Sequence, residues 1–163
     1  GGKRGTRRAA RNDNPESDFL MSEMTMRGFV RAFCEAFLAN DLARIENWLD
    51  DNVDWIVFGP VDLFPFFGQR TGKQAVAKMY QEITASLEIK SCERDSVLVD
   101  GDQASSMIRL TAVHKQTGRT LTMRLAYFAD FRGPKVIRMR ALLDSFDFAE
   151  QALGREIDLT AAA

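Results

Sequence analysis

A carboxylate beside a tryptophan, two arginines on adjacent stretches and a cluster of phenylalanines are the residues of this chain best suited to chemistry or to ligand binding. Asp54 opens a run rich in β-branched and aromatic residues and is followed by Trp55. Turned inward against the indole, its carboxyl would be desolvated, its pKa would rise, and it could act as a general base for proton abstraction. Turned outward it would be an ordinary solvated carboxylate. Arg109 and Arg124 lie on stretches expected to be neighbouring strands. Two guanidinium groups in one cavity would favour an anionic or enolate-bearing ligand; the alternative for each is an ion pair with Asp130, Asp54 or Glu93. Trp55, Phe58, Phe64, Phe66 and Phe67 form either the walls and mouth of an apolar site or plain core.

Other candidates carry weaker signals. His114 is the only histidine, and by alternation it shares a face with Ile108, Leu110 and Ala112, opposite Arg109. Cys34 and Cys92 have neither a CxxC partner nor a histidine at ligand spacing, and one pair is not a disulfide framework. No metal site is expected, and a reducing cytoplasm is the expected compartment. Asp144 and Asp147 are read as caps of a last helix rather than as reacting groups.

The elements that must position these residues follow from periodicity. Phe29, Val30, Phe33, Cys34 and Phe37 recur at helical spacing from Met26 to Leu38, and Asn40-Asp41 breaks the pattern. Asp41 is placed to cap a short second helix carrying Leu42, Ile45, Trp48 and Leu49. Val53 to Phe58 reads as a strand ended by Gly59-Pro60, and a loop to Arg70 holds Leu63, Phe64, Phe66 and Phe67. A third helix follows with Val76, Met79, Tyr80, Ile83 and Leu87 on one stripe. The period then drops to two. Leu87 to Val99, Ala104 to Lys115, Arg119 to Phe131 and Val136 to Ser145 are strands of a meander joined by Gly-containing turns, and a short helix near Phe148 to Leu153 is stopped by Gly154. Layer rules make this an α+β domain with helices on one face of a curved antiparallel sheet of about five to six strands.

Composition sets the frame. The 163 residues carry 22 basic and 23 acidic side chains, net −1, with 45% apolar residues. That is ordinary globular usage for one domain. No apolar stretch approaches the roughly 20 residues that span a bilayer, so neither membrane insertion nor secretion is expected. Residues 1–20 hold Lys3, Arg4, Arg7, Arg8 and Arg11 against Asp13, Glu16 and Asp18. The segment reads as a basic, flexible tail, partly a cloning remnant with natural initiation near Met21; residues 21–154 are the domain and 155–163 a short extension. The acidic remainder offers no basic face, so nucleic acid is not an expected partner.

The order of elements resembles the cone-shaped fold shared by nuclear transport factor 2, the ketosteroid isomerases, limonene-epoxide hydrolase and the SnoaL-like polyketide cyclases. Three stretches carry the resemblance over residues 24–153: "FLANDLARIENWLDDNVDW", "FGPVDLFPFFGQRTGKQAVAKMY" and "KVIRMRALLDSFDFAEQ". It implies three N-terminal helices on the concave face of the sheet and a pocket between them. It also implies that Arg109, Thr111, Arg124, Phe128, Met139 and Ala141 point inward, together with Trp55 or its neighbours, and that Tyr80 reaches the pocket. Leu121, Met123, Leu125 and Tyr127 would then form an exposed convex stripe, covered by a second copy in a homodimer.

The family's catalytic residues do not carry over. Matching the isomerases puts their base at Ile56, their oxyanion-hole tyrosine at Phe33 and their protonated acid at Ala126 or Tyr127; no carboxylate stands at any of these positions. Matching the epoxide hydrolases keeps Arg109 alone, with Thr111 and Ala141 in place of its acidic partners. The chain resembles the scaffold without its known machinery. Two readings follow. One is a cofactor-independent isomerase, cyclase or lyase on a small hydrophobic cyclic substrate, with Asp54 as base and Arg109 and Arg124 holding negative charge. The other is a non-catalytic module binding a small molecule or a protein.

Overall fold

In a computed structural model of the protein, residues 15–158 and Thr160 are described, with side chains described from Met26 onward. Among the described residues four helices accompany six strands: α1 (Pro15–Leu38), α2 (Leu42–Asn47), β1 (Leu49–Phe58), β2 (Gly68–Thr71), α3 (Lys73–Ser86), β3 (Leu87–Asp100), β4 (Gln103–His114), β5 (Thr120–Arg132), β6 (Lys135–Leu143) and α4 (Ser145–Leu153). The sheet order is β2-β1-β6-β5-β4-β3. The β1–β6 pairing is parallel and the other four are antiparallel.

Local chemistry explains the boundaries. Asp41 accepts from the Arg44 N–H at 3.0 Å and starts α2; Asp144 accepts from the Asp147 N–H at 3.0 Å and starts α4. Gly154 ends α4 in the left-handed conformation, φ 68°, where glycine carries no Cβ penalty. Several boundaries differ from periodicity; α4 begins at Ser145 and not near Phe148, after β6 ends at Leu143. The first helix begins at Pro15, so its backbone includes residues 15–20 of the expected tail, while residues 1–14 lie outside the described residues. β1 begins at Leu49 instead of Val53. The expected loop to Arg70 ends in a short edge strand, β2, that pairs with Asp54 to Val57.

One face of the sheet is covered by the helices. α1 packs on β3 and β4, α3 on β1, β2 and β3, and α4 on β5. The buried stripes are Val53, Trp55 and Val57 of β1, Ile108, Leu110 and Ala112 of β4, Leu121, Met123, Leu125, Ala129 and Phe131 of β5, and Val136, Met139 and Ala141 of β6. This reverses the expected parity of β4 and β5. Leu121, Met123 and Leu125 are core, and Tyr127 packs against it, so none of them forms a convex stripe. The physical reason is simple: of the two alternating sets on β5 the more apolar one must face the helices, because burying it removes more apolar surface from water. No helix among the described residues is long and apolar enough to cross a membrane.

Candidate functional site

Two small cavities lie between the sheet and the helices. The larger, about 50 Å³, is lined by Phe37 of α1, Trp55 and Val57 of β1, Phe66 and Phe67 of the loop, Met79, Tyr80 and Ile83 of α3, Leu87, Leu110, Met123, Leu125, Tyr127, Leu143 and Phe148. The smaller, about 20 Å³, is lined by Phe29, Val30, Phe33, Ile108, Tyr127, Phe131 and Met139 among others. Tyr127 lines both.

The walls are mutually packed aromatics. Tyr80 stands edge-on to Trp55 at 5.8 Å and to Phe37 at 5.6 Å, and Phe67 edge-on to Phe148 at 5.5 Å, geometries that aromatic quadrupoles favour. The loop that supplies Phe64, Phe66 and Phe67 is held from outside: the Arg70 guanidinium donates to the Phe67 carbonyl at 3.3 Å and to the Pro65 carbonyl. Gly59 permits that arrangement, since a Cβ there would sit 2.5 Å from the Phe67 ring.

Polar groups around the larger cavity are few. Burial pushes the Tyr80 and Tyr127 hydroxyls well above the ordinary phenol range, so both stay neutral and keep a proton to donate. Trp55 is 1% exposed, and its indole Nε1–H has no acceptor among the described residues. A buried donor without a partner is costly, which makes it a natural point for a bound acceptor.

Of the sequence-predicted residues, Trp55, Phe67 and Tyr80 meet in the larger cavity, Met139 lines the smaller one, and Phe64 lies behind the walls against Phe66, Phe148 and His114. The remainder are placed on the convex side. Asp54 faces away from Trp55, accepting from Gln69 Nε2 at 3.0 Å and pairing with the Arg140 guanidinium. The Arg140 contact first, and then Gln69, holds its carboxyl below the ordinary carboxylate range, opposite to the rise a general base would need. Arg109 pairs with Asp95 at 3.4 Å and Glu93 at 3.7 Å. It faces Arg124 across the β4–β5 ladder, and both lie on the exposed side of the sheet. Thr111 pairs with Thr122 there, and Phe58 and Phe128 are 48% and 53% exposed. These six placements correct the inward assignment, for the parity reason given above and, for Asp54, because Trp55 takes the core side of β1. His114 shares the helix-covered face as alternation implied. It sits at the C-terminal end of β4, with Nδ1 2.8 Å from Thr117 Oγ1 and its ring 5.7 Å from Phe64, outside both cavity linings.

Wall residues not singled out beforehand as site residues include Phe37, Met79, Leu110, Tyr127 and Phe148. Their signal was the apolar stripe itself. Among the described residues no group of His, Cys, Asp or Glu is arranged to hold a metal ion.

Comparison with known proteins places this geometry in a family. The SnoaL-like domain matches residues 30–139. Curated proteins give no significant match to the sequence. Among solved structures, a protein of Rhodopseudomonas palustris named as a candidate isomerase is 38% identical, with a TM-score of 0.73 over 80% of this chain and 97% of its own. A nuclear transport factor 2-like protein of Burkholderia xenovorans is 22% identical, TM-score 0.68, over 79% and 96%. A limonene-epoxide-hydrolase-like epoxide hydrolase of Mycobacterium tuberculosis is 12% identical, TM-score 0.65, over 90% and 99%. The last two share the fold. With a family match over residues 30–139 and a 38% identical neighbour covering four-fifths of this chain, the chain belongs to the SnoaL-like family.

Proposed function

We propose that the protein binds one small, neutral, ring-sized hydrophobic molecule in the aromatic cavity, with a single hydrogen-bond acceptor of the ligand received by Trp55 Nε1–H. The carrying observation is that unpartnered indole donor on a wall that otherwise offers only apolar surface and two neutral hydroxyls. A volume of about 50 Å³ is below the roughly 300–1,000 Å³ of drug-sized sites, so binding requires the walls to part. Met79 and Met123 supply adaptable side chains for that expansion.

The test compares acetophenone with α-methylstyrene, which has nearly the same shape but no carbonyl. Wild type should bind acetophenone roughly threefold to tenfold more tightly, the range of one net hydrogen bond. Trp55→Phe should bind both alike. Failure to bind either probe would overturn the pocket reading; equal binding by wild type would overturn the role of Trp55.

A second reading draws on the Rhodopseudomonas palustris neighbour's name: cofactor-independent isomerisation, cyclisation or lyase chemistry on a cyclic substrate in the same cavity. The groups positioned to stabilise a developing oxyanion there are the Tyr80 and Tyr127 hydroxyls, not Asp54, Arg109 or Arg124. Turnover lost in Tyr127→Phe but kept in Asp54→Asn would support it; the reverse pattern would refute it.

A homodimer through the convex sheet face is the second part of the proposal. The exposed side chains Phe58, Leu142 and Phe128 come from adjacent strands, with Phe58 beside Leu142 in the β1–β6 ladder. Leu142 in turn pairs with Ala126, two residues from Phe128. Both charge signs surround them, in the pairs Arg138–Asp130, Arg140–Asp54 and Arg109–Asp95. An apolar centre with a mixed-charge rim is self-complementary, as a two-fold interface requires.

A further inference from the structure

Cys34 on α1 and Cys92 on β3 are the only cysteines of the chain and stand 58 residues apart in it. Their side chains nevertheless meet. The two Sγ atoms are 2.7 Å apart, well inside the sum of two sulfur van der Waals radii, with the Cys92 thiol donating to Cys34. Both are free thiols in this arrangement, 6% and 8% exposed. A disulfide bond needs Sγ atoms about 2.05 Å apart, and these two sulfurs are already in contact.

We propose that Cys34 and Cys92 form a reversible dithiol–disulfide pair, oxidised by a peroxide and reopened by small-molecule thiols, which fixes the α1 wall of the cavities to the sheet. Cys34 is the attacking sulfur. The hydrogen bond from Cys92 holds its thiol below the ordinary value, with the Arg94 guanidinium acting in the same direction against burial and Glu35; Cys92, as the donor of that bond, is pushed the other way. The Cys34 thiolate attacks one peroxide oxygen: an S–O bond forms, the O–O bond breaks, and the departing hydroxide takes up a proton as water. The Cys92 sulfur then attacks the sulfenic sulfur: an S–S bond forms, the S–O bond breaks, and a second water leaves. The two thiols lose two electrons and the peroxide gains them. Two molecules of a thiol reverse the bond and leave as their own disulfide.

The consequence reaches the cavities because Cys34 lies between Phe33, which lines the smaller one, and Phe37, which lines the larger. Cross-linking α1 to β3 would restrain the helix that must yield for a ligand to be accommodated.

The test uses the whole chain. Purified protein is treated with hydrogen peroxide, unfolded, alkylated with iodoacetamide and weighed intact, beside a sample reduced with dithiothreitol. The reduced sample should carry two carbamidomethyl groups, and the oxidised one none, with a monomer mass lower by two hydrogens. The oxidised protein should melt roughly 10 °C higher, the scale expected for closing a loop of this length, and dithiothreitol should reverse the shift. In Cys92→Ser, peroxide should leave a Cys34 sulfenic acid that dimedone traps. Two alkylations persisting after peroxide, or disulfides only between chains, would overturn the proposal, and both are read on wild type whether or not the variant folds.

Discussion

Asp54 and Trp55 are consecutive on β1 and face opposite sides of the sheet: the indole lines the cavity beside Tyr80, and the carboxylate pairs with Arg140 on the convex side. A strand cannot send neighbouring side chains the same way. In this molecule the core takes the tryptophan, and the charge is left to the surface.

The Asp54–Arg140 pair therefore contributes to stability rather than to the cavity. Its folded pKa lies below the unfolded value of about 3.9, so its contribution is present above that value and is lost as pH falls through the lower folded one. With Asp54 35% exposed, Asp54→Asn should cost at most about 1 kcal/mol at pH 7. The difference in Tm from wild type should close as pH falls below about 4. Thermal melts across that range decide it; a gap that stays constant would mean that the carboxylate charge is not what stabilises.

Phe67 closes one wall of the cavity against Phe148 and Phe66. Phe67→Ala should destabilise the fold by about 3–5 kcal/mol and enlarge the cavity. Benzene should then raise the Tm of the variant more than that of wild type. An equal response would place the ring outside the binding space.

Gly59 meets the same ring from the other side. Gly59→Ala should cost about 1–3 kcal/mol by overpacking. In the Gly59→Ala, Phe67→Ala double variant the two effects should sum to less than their separate values, because the Cβ then fills space the ring vacated. Denaturant melts of the four proteins measure this; strict additivity would contradict the contact.

On the convex face, Phe128 pairs across β5 and β6 with Arg140, so a carboxylate introduced there finds a cation and leaves the monomer folded. Phe128→Glu should convert a dimer to a monomer. Light scattering should give twice 18.4 kDa for wild type and 18.4 kDa for the variant. Wild type at the monomer mass in dilute solution would refute the dimer.

The order of elements was legible in the sequence because each is strongly periodic: Phe29 to Phe37 at helical spacing, Leu121 to Phe131 at period two, Asp41 and Asp144 at caps. The missing information was absolute. Alternation shows which β4 and β5 residues share a face, and it grouped His114 with Ile108 correctly, yet it does not say which face is covered. Arg109 and Arg124 were assigned inward from the resemblance to enzymes that use buried polar groups. The apolar contrast between Leu121-Met123-Leu125 and Thr122-Arg124 argues the other way, and the structure follows that contrast. Cys34 and Cys92 show a different limit. Nothing in their spacing announces a contact made by α1 folding back across the sheet.

The central claim is that ligand binding belongs to the cavity and not to the charged face. Amide and indole ¹H–¹⁵N spectra, with methionine methyl spectra, recorded during an acetophenone titration test it most directly. The account predicts a downfield shift of the Trp55 indole N–H, identified by its loss in Trp55→Phe, with the Met79 and Met123 methyls moving in step and the amides of Arg109, Arg124 and Arg140 still. Shifts confined to those convex-face amides, with the Trp55 indole unmoved, would contradict it.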